Sequence, residues 1–146
     1  MEGELMANCV FCEIVAGRVP SSQVYQDELC SVFMDIQPVN PGHMLIIPNQ
    51  HSAFLSELDE ETGAQMFRIA HCLSHSLRLS GLKCEGVNFF LADGESAMQE
   101  VLHVHLHVFP RFRGDGFGLR FGPNYTKKPS RAELDVAAEK IRTTFK

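Results

Sequence analysis

The chain has 146 residues, 45% hydrophobic and 21% charged, a composition that fits one globular domain able to bury about two-thirds of its surface. Its net charge of −5 argues against bulk nucleic-acid binding. No apolar run approaches the roughly 18 residues of a membrane span, and residues 1–5 lack the regions of a signal peptide, so a cytoplasmic protein clear of membranes is expected.

The first feature along the chain is Cys9-Val10-Phe11-Cys12. Two thiolates one turn apart can share a tetrahedral metal, but they supply half a site and spacing leaves the other ligands open; a redox pair is disfavoured because no thioredoxin-like βαβ unit surrounds them. With Cys30, Cys72 and Cys84 the cysteine count is odd, which argues for reduced thiols rather than a disulfide frame. Residues 28–36 and 43–47 read as strands joined by the turn-forming Gln37-Pro38-Val39-Asn40-Pro41-Gly42. A long helix follows, capped at Ser56 or Asp59, with Met66, Ile69, Ala70, Leu73 and Leu77 on one face and Gly81 as its stop. His71 and His75 stand i, i+4 on it and read as surface residues rather than metal ligands. Residues 87–91 form a strand, 93–97 a turn, 101–109 a strand and 113–118 a glycine-rich loop. Ser130 and Glu133 cap a closing helix carrying Leu134, Ala137, Ala138, Ile141 and Phe145. The elements suggest an antiparallel α+β sheet, because a doubly wound parallel sheet needs stricter strand–helix alternation.

The most informative stretch is His103-Val104-His105-Leu106-His107-Val108-Phe109-Pro110-Arg111. On a strand, Val104, Leu106 and Val108 face a core while the three histidines share the other face, neighbours about 7 Å apart. Three imidazoles so placed offer donors, acceptors and a nucleophile near neutral pH. Charge is uneven along the chain: residues 1–61 carry ten acids and one base. Within 111–131, Arg111, Arg113, Arg120, Lys127, Lys128 and Arg131 stand against Asp115 alone, a field that favours a phosphate-bearing ligand, although a solvated tail is the plainer reading for any single one.

The alternating histidines resemble the signature of the histidine triad (HIT) nucleotide hydrolases and transferases. The segment from Cys9 to Val15 resembles that family's opening, the run from Phe33 to Pro48 its second block, and Gln99-Glu100-Val101-Leu102 and Phe109-Pro110-Arg111 its entry to and exit from the triad. The resemblance covers roughly residues 8–118 and implies one domain: an antiparallel sheet of about five strands, a long helix after the second block, and a helical tail over about 130–145. It implies cleavage of a substituent from the α-phosphate of a purine nucleotide, of phosphoramidate or dinucleoside polyphosphate type. His105 is then the nucleophile that forms a nucleotidyl-histidine, and His107 donates to a phosphate oxygen. Gln99 and the Glu100 backbone hold phosphate oxygens and Asp35 the ribose hydroxyls. Phe11, Ile14, Phe33 and Ile36 wall the base, with core an equal reading for Ile14 and Ile36. The resemblance also implies a structural Zn²⁺ on Cys9, Cys12, His51 and His103, and a homodimer.

The chain departs from this pattern twice. Ala92 stands where relatives place Asn or Gln, and Met98 where they place Gly. These departures keep a second class in play, a nucleotide-binding or scaffolding protein of low activity. A third reading makes all three histidines ligands of a catalytic metal.

Overall fold

The computed structural model describes residues 8–146; the segment 1–5, read as lacking a signal peptide, lies outside them. In chain order the elements are α1 (Val10–Val15), β1 (Gln23–Gln26), β2 (Cys30–Met34), β3 (Met44–Pro48), α2 (Glu60–Leu79), β4 (Gly86–Leu91), β5 (Leu106–Arg111) and α3 (Arg131–Arg142). The strands form one antiparallel sheet in the order β1-β2-β3-β5-β4. The described residues part into two compact units, which divide between Asp115 and Gly116.

Period-two alternation sorts the first unit into two cores. Cys30, Val32, Met44, Ile46, Val104, Leu106 and Val108 face α2, whose Met66, Ile69, Ala70, Leu73 and Leu77 supply the matching stripe. Their sequence neighbours Phe33, Leu45 and Ile47 point the other way and pack on Cys9 and Phe11 of the α1 segment. Asp59 caps α2, its carboxylate accepting from Thr62 N–H at 3.3 Å, and this decides between the two expected caps. Glycine is required at Gly42, where φ is +104° and an added Cβ would lie 3.0 Å from Leu82 and 3.2 Å from Pro110. That turn delivers His43 to the start of β3.

Three elements differ from expectation. β1 has no signal in the sequence: its residues Gln23-Val24-Tyr25-Gln26 are exposed and carry no apolar alternation, as suits an edge strand. β2 is shorter than 28–36: Asp35 N–H still reaches His43 C=O, but His43 N–H turns back to Asn40 C=O, which ends the ladder after Met34. The strand expected over 101–109 begins only at Leu106. Pairing with β3 ends at Ile46↔Leu106, and Val104 N–H bonds Ser52 C=O instead of a ladder partner. Val104 nevertheless keeps to the α2 side and His103 to the other, so the facing pattern outlasts the strand.

In the second unit α3 has the expected capping box, with Ser130 and Glu133 bonding reciprocally. Phe121 stacks on Tyr125 with centroids 3.8 Å apart. Leu134, Val136 and Ile141 are exposed. No helix among the described residues is long and apolar enough to cross a membrane.

Candidate active site and metal centre

The three histidines of the motif turn to three different sets of partners. His105 is buried, with its ring edge against Phe11 at 5.2 Å and His107 at 5.0 Å. Its Nδ1 lies 2.7 Å from the carbonyl oxygen of His103. A carbonyl only accepts, so Nδ1 carries a proton, and in the neutral ring Nε2 is the nitrogen with the bare lone pair.

The state of His107 follows from a longer chain. Val39 N–H donates to His43 Nδ1 at 2.9 Å, which leaves the His43 proton on Nε2. That Nε2–H meets His107 Nδ1 at 2.9 Å, so His107 keeps its own proton on Nε2. Asp35 lies beside both rings, its Oδ2 3.5 Å from His43 Nε2 and 3.8 Å from His107 Nδ1. Burial pulls His107 down to about 4, the neighbouring His105 and His43 add to the effect, and the Asp35 carboxylate opposes it. Burial also lowers His43 against the same carboxylate. Both rings are therefore neutral at pH 7. The site thus presents a bare nitrogen on His105 and an N–H on His107, two residues apart on one face.

His43 is the residue that sequence reasoning left without a role. The available signal was its place directly after the Gly42 turn and before an apolar run, which buries it against Phe109 with centroids 4.9 Å apart.

The remaining expected residues fall as follows. Phe11 and Phe33 are buried and meet edge to face at 5.5 Å. Ile14 packs half-buried on the same cluster and, with Phe33, lines a cleft of about 200 Å³ whose other wall includes Ser21, Gln23, Gln26 and Ser31. Ile36 is 96% exposed and belongs to neither core nor cleft. Gln99 is buried, and its amide is occupied by backbone: Oε1 accepts from Gly94 N–H at 2.7 Å, and Nε2 donates to Ala53 C=O at 2.7 Å and Val101 C=O at 3.1 Å. Its side chain thus braces the loop rather than facing a ligand. Glu100 is exposed. Met98 adopts φ 71°, ψ 30°, the left-handed conformation that explains why glycine suits this position. Ala92 is buried. Arg111 is held by Asp115 at 2.6 and 3.0 Å and by Asn88 Oδ1 at 2.7 Å.

A separate cluster joins α1 to the segment before β5. His103 Nδ1 lies 3.3 Å from Cys9 Sγ and 3.5 Å from Cys12 Sγ, and His51 Nδ1 lies 3.3 Å from Cys12 Sγ. All four donor atoms fall within 4.8 Å of one another. A tetrahedral ion with bonds of about 2.0–2.3 Å needs ligand–ligand edges of roughly 3.3–3.8 Å, so the set fits one closed four-coordinate site. His103 donates its other N–H to Pro48 C=O at 2.8 Å, which frees Nδ1 for the ion. Burial, with Cys9 beside it, pushes the Cys12 thiol up to about 12, so thiolate character there depends on a cation. His71 and His75 are both exposed. Because His103 faces the cysteines, His105 its carbonyl partner and His107 the His43 ring, the three do not converge on one ion, against the catalytic-metal reading.

The family model described as HIT domain matches residues 16–114. A solved HIT-family protein of Bacillus subtilis is similar at 34% identity and TM-score 0.85, over 95% of this chain and 98% of that one. A Zn-bound histidine triad family protein of Mycobacterium smegmatis is similar at 35% identity and TM-score 0.74, over 96% of this chain and 99% of that one. An adenosine 5′-monophosphoramidase of Schizosaccharomyces pombe is 31% identical over 95% of this chain and 99% of its own length.

Proposed function

The chain belongs to the histidine triad (HIT) family, and on that premise we propose that it cleaves a substituent from the α-phosphate of a purine nucleotide through a nucleotidyl-histidine. The observation that carries the reading is the bare Nε2 of His105, held by the Nδ1–H bond to the His103 carbonyl. Nε2 attacks phosphorus with its lone pair, the bond from phosphorus to the leaving group breaks, and the leaving group departs with that electron pair and takes a proton from solvent. The imidazole becomes cationic, and the His103 carbonyl dipole at Nδ1–H stabilises that charge. His107 Nε2–H donates to a non-bridging oxygen, where negative charge builds. Water then attacks the same phosphorus, the P–Nε2 bond breaks with its electron pair returning to His105, the water's proton passes to solvent, and the nucleoside monophosphate is released.

Asp35 takes the ribose hydroxyls, and Phe11, Ile14 and Phe33 wall the base. Gln99 acts through the loop it braces, and none of the described hydrogen bonds uses Glu100 N–H, which suits it to a phosphate oxygen. The S. pombe relative favours a phosphoramidate as the substrate. Cys9, Cys12, His51 and His103 hold a structural Zn²⁺, as their donor set and spacing support. Four protein ligands leave no open position, so the metal takes no part in the chemistry.

A second reading, nucleotide binding with little turnover, draws on the strained Met98 backbone in the loop that approaches the phosphate. Incubating the metal-replete protein with adenosine 5′-phosphoramidate decides between them. Release of AMP, with an adenylyl adduct on His105 in quenched samples, supports the enzyme. AMP binding without turnover supports the binding protein.

A further inference from the structure

The cleft beside Ile14 and Phe33 is not simply an apolar slot. A directed chain of hydrogen bonds runs along its polar wall. Asn49 Nδ2 donates to the Asp27 carbonyl at 2.9 Å, and because a carbonyl only accepts, this fixes which end of the Asn49 amide is oxygen. Asn49 Oδ1 then accepts from the Ser31 hydroxyl at 2.6 Å. The Ser31 oxygen accepts from Gln26 Nε2 at 3.1 Å. Gln26 Oε1 accepts from Gln23 Nε2 at 3.1 Å. Each link sets the orientation of the next. The chain ends at Gln23 Oε1, a carbonyl acceptor to which no described residue donates, on a residue that lines the cleft.

We propose that Gln23 reads the edge of the nucleobase, its Oε1 accepting a hydrogen bond from a base that offers an edge N–H, as the exocyclic amine of adenine does. The inference rests on the nucleotide-site reading, in which Ile14 and Phe33 wall the base. Its physical content is selectivity. A pre-oriented acceptor costs little to organise at the moment of binding, because Asp27, Asn49, Ser31 and Gln26 already hold the amide. A purine with no edge donor leaves the oxygen unpaired in the complex and is disfavoured. Gln23 is exposed in the free protein, so water satisfies the oxygen before binding, and the discrimination is modest: about three- to tenfold in affinity.

The test compares AMP with purine riboside (nebularine) 5′-monophosphate, which differ by that amine, in calorimetric titrations of the full-length metal-replete protein. Wild type should bind AMP about three- to tenfold more tightly. Gln23→Met, nearly isosteric and at an exposed position, should bring the ratio to about one. Ser31→Ala, which cuts the chain two links from Gln23, should reduce the ratio without abolishing it. Equal affinities in wild type, or a ratio that survives Gln23→Met, overturn the assignment while leaving the nucleotide site intact. Failure of both nucleotides to bind overturns the nucleotide-site reading, and Gln23's role with it.

Discussion

His105 has one nitrogen to offer, because the other is bonded to its own chain at His103. His105→Ala should therefore abolish turnover of adenosine 5′-phosphoramidate. AMP affinity should stay within about tenfold, roughly 1.4 kcal/mol, because Asp35, Phe11, Ile14 and Phe33, the residues proposed to take ribose and base, are untouched. Kinetics and calorimetry on the same preparation check this, and substantial residual turnover sinks the covalent role. His43 acts one step away. Without its Nε2–H, the His107 ring can move its proton to Nδ1 and present a lone pair to the phosphate. His43→Leu should lower kcat by about tenfold or more, with a smaller change in KM, since the hydrogen bond from His107 to the phosphate strengthens as charge develops. An unchanged kcat, or a loss confined to KM, would argue against it.

At the scale of elements, α1 has six residues, too short to be stable by itself. Cys9 and Phe11 pack it on the sheet, and the Cys9–Cys12–His51–His103 cluster can clamp it to the segment before β5. Elemental analysis should find about one zinc per chain. Cys12→Ser should lose it and lower the Tm by at least about 5 °C, since a bound structural metal contributes folding energy. The loop around the short turn Glu95–Ala97 is the second element with a testable energy. Left-handed backbone costs Met98 roughly 1–2 kcal/mol, and the extra freedom of glycine in the unfolded chain offsets part of any relief. Met98→Gly should raise stability by about 0.5–1 kcal/mol in urea denaturation, and Met98→Val should lower it. Identical midpoints for all three would show that the loop stores no such strain.

For the whole molecule, burial of neutral histidines sets the response to acid. The folded-state value for His107 is about 4 against the ordinary 6.5, so below pH 6.5 the unfolded chain takes up a proton that the folded one refuses. The contribution is fully present above pH 6.5 and is lost as pH falls towards 4, amounting to about 3 kcal/mol at most. Denaturation midpoints measured between about pH 7.5 and 4 should fall across that window, and His107→Gln should flatten the slope. A slope unchanged by the substitution would place the protonation elsewhere.

The sequence by itself determined the sorting of side chains. The period-two alternation that sends Val104, Leu106 and Val108 to α2 and the histidines to the opposite side is local geometry. The apolar stripe of α2 is local in the same way, whereas the choice of Asp59 over Ser56 as its cap came from the structure. Only the tertiary structure decided what each polar group does there. The proton on His107 is placed by His43, 64 residues away, and the Gln99 amide is spent on Ala53, 46 residues away. β1 is a strand because β2 pairs with it, since its own residues carry no apolar signal. Hydrophobic pattern is a property of neighbours in the chain. Tautomers, amide orientations and edge pairing belong to whichever donor or acceptor the fold brings opposite, and the chain's own order does not name that partner.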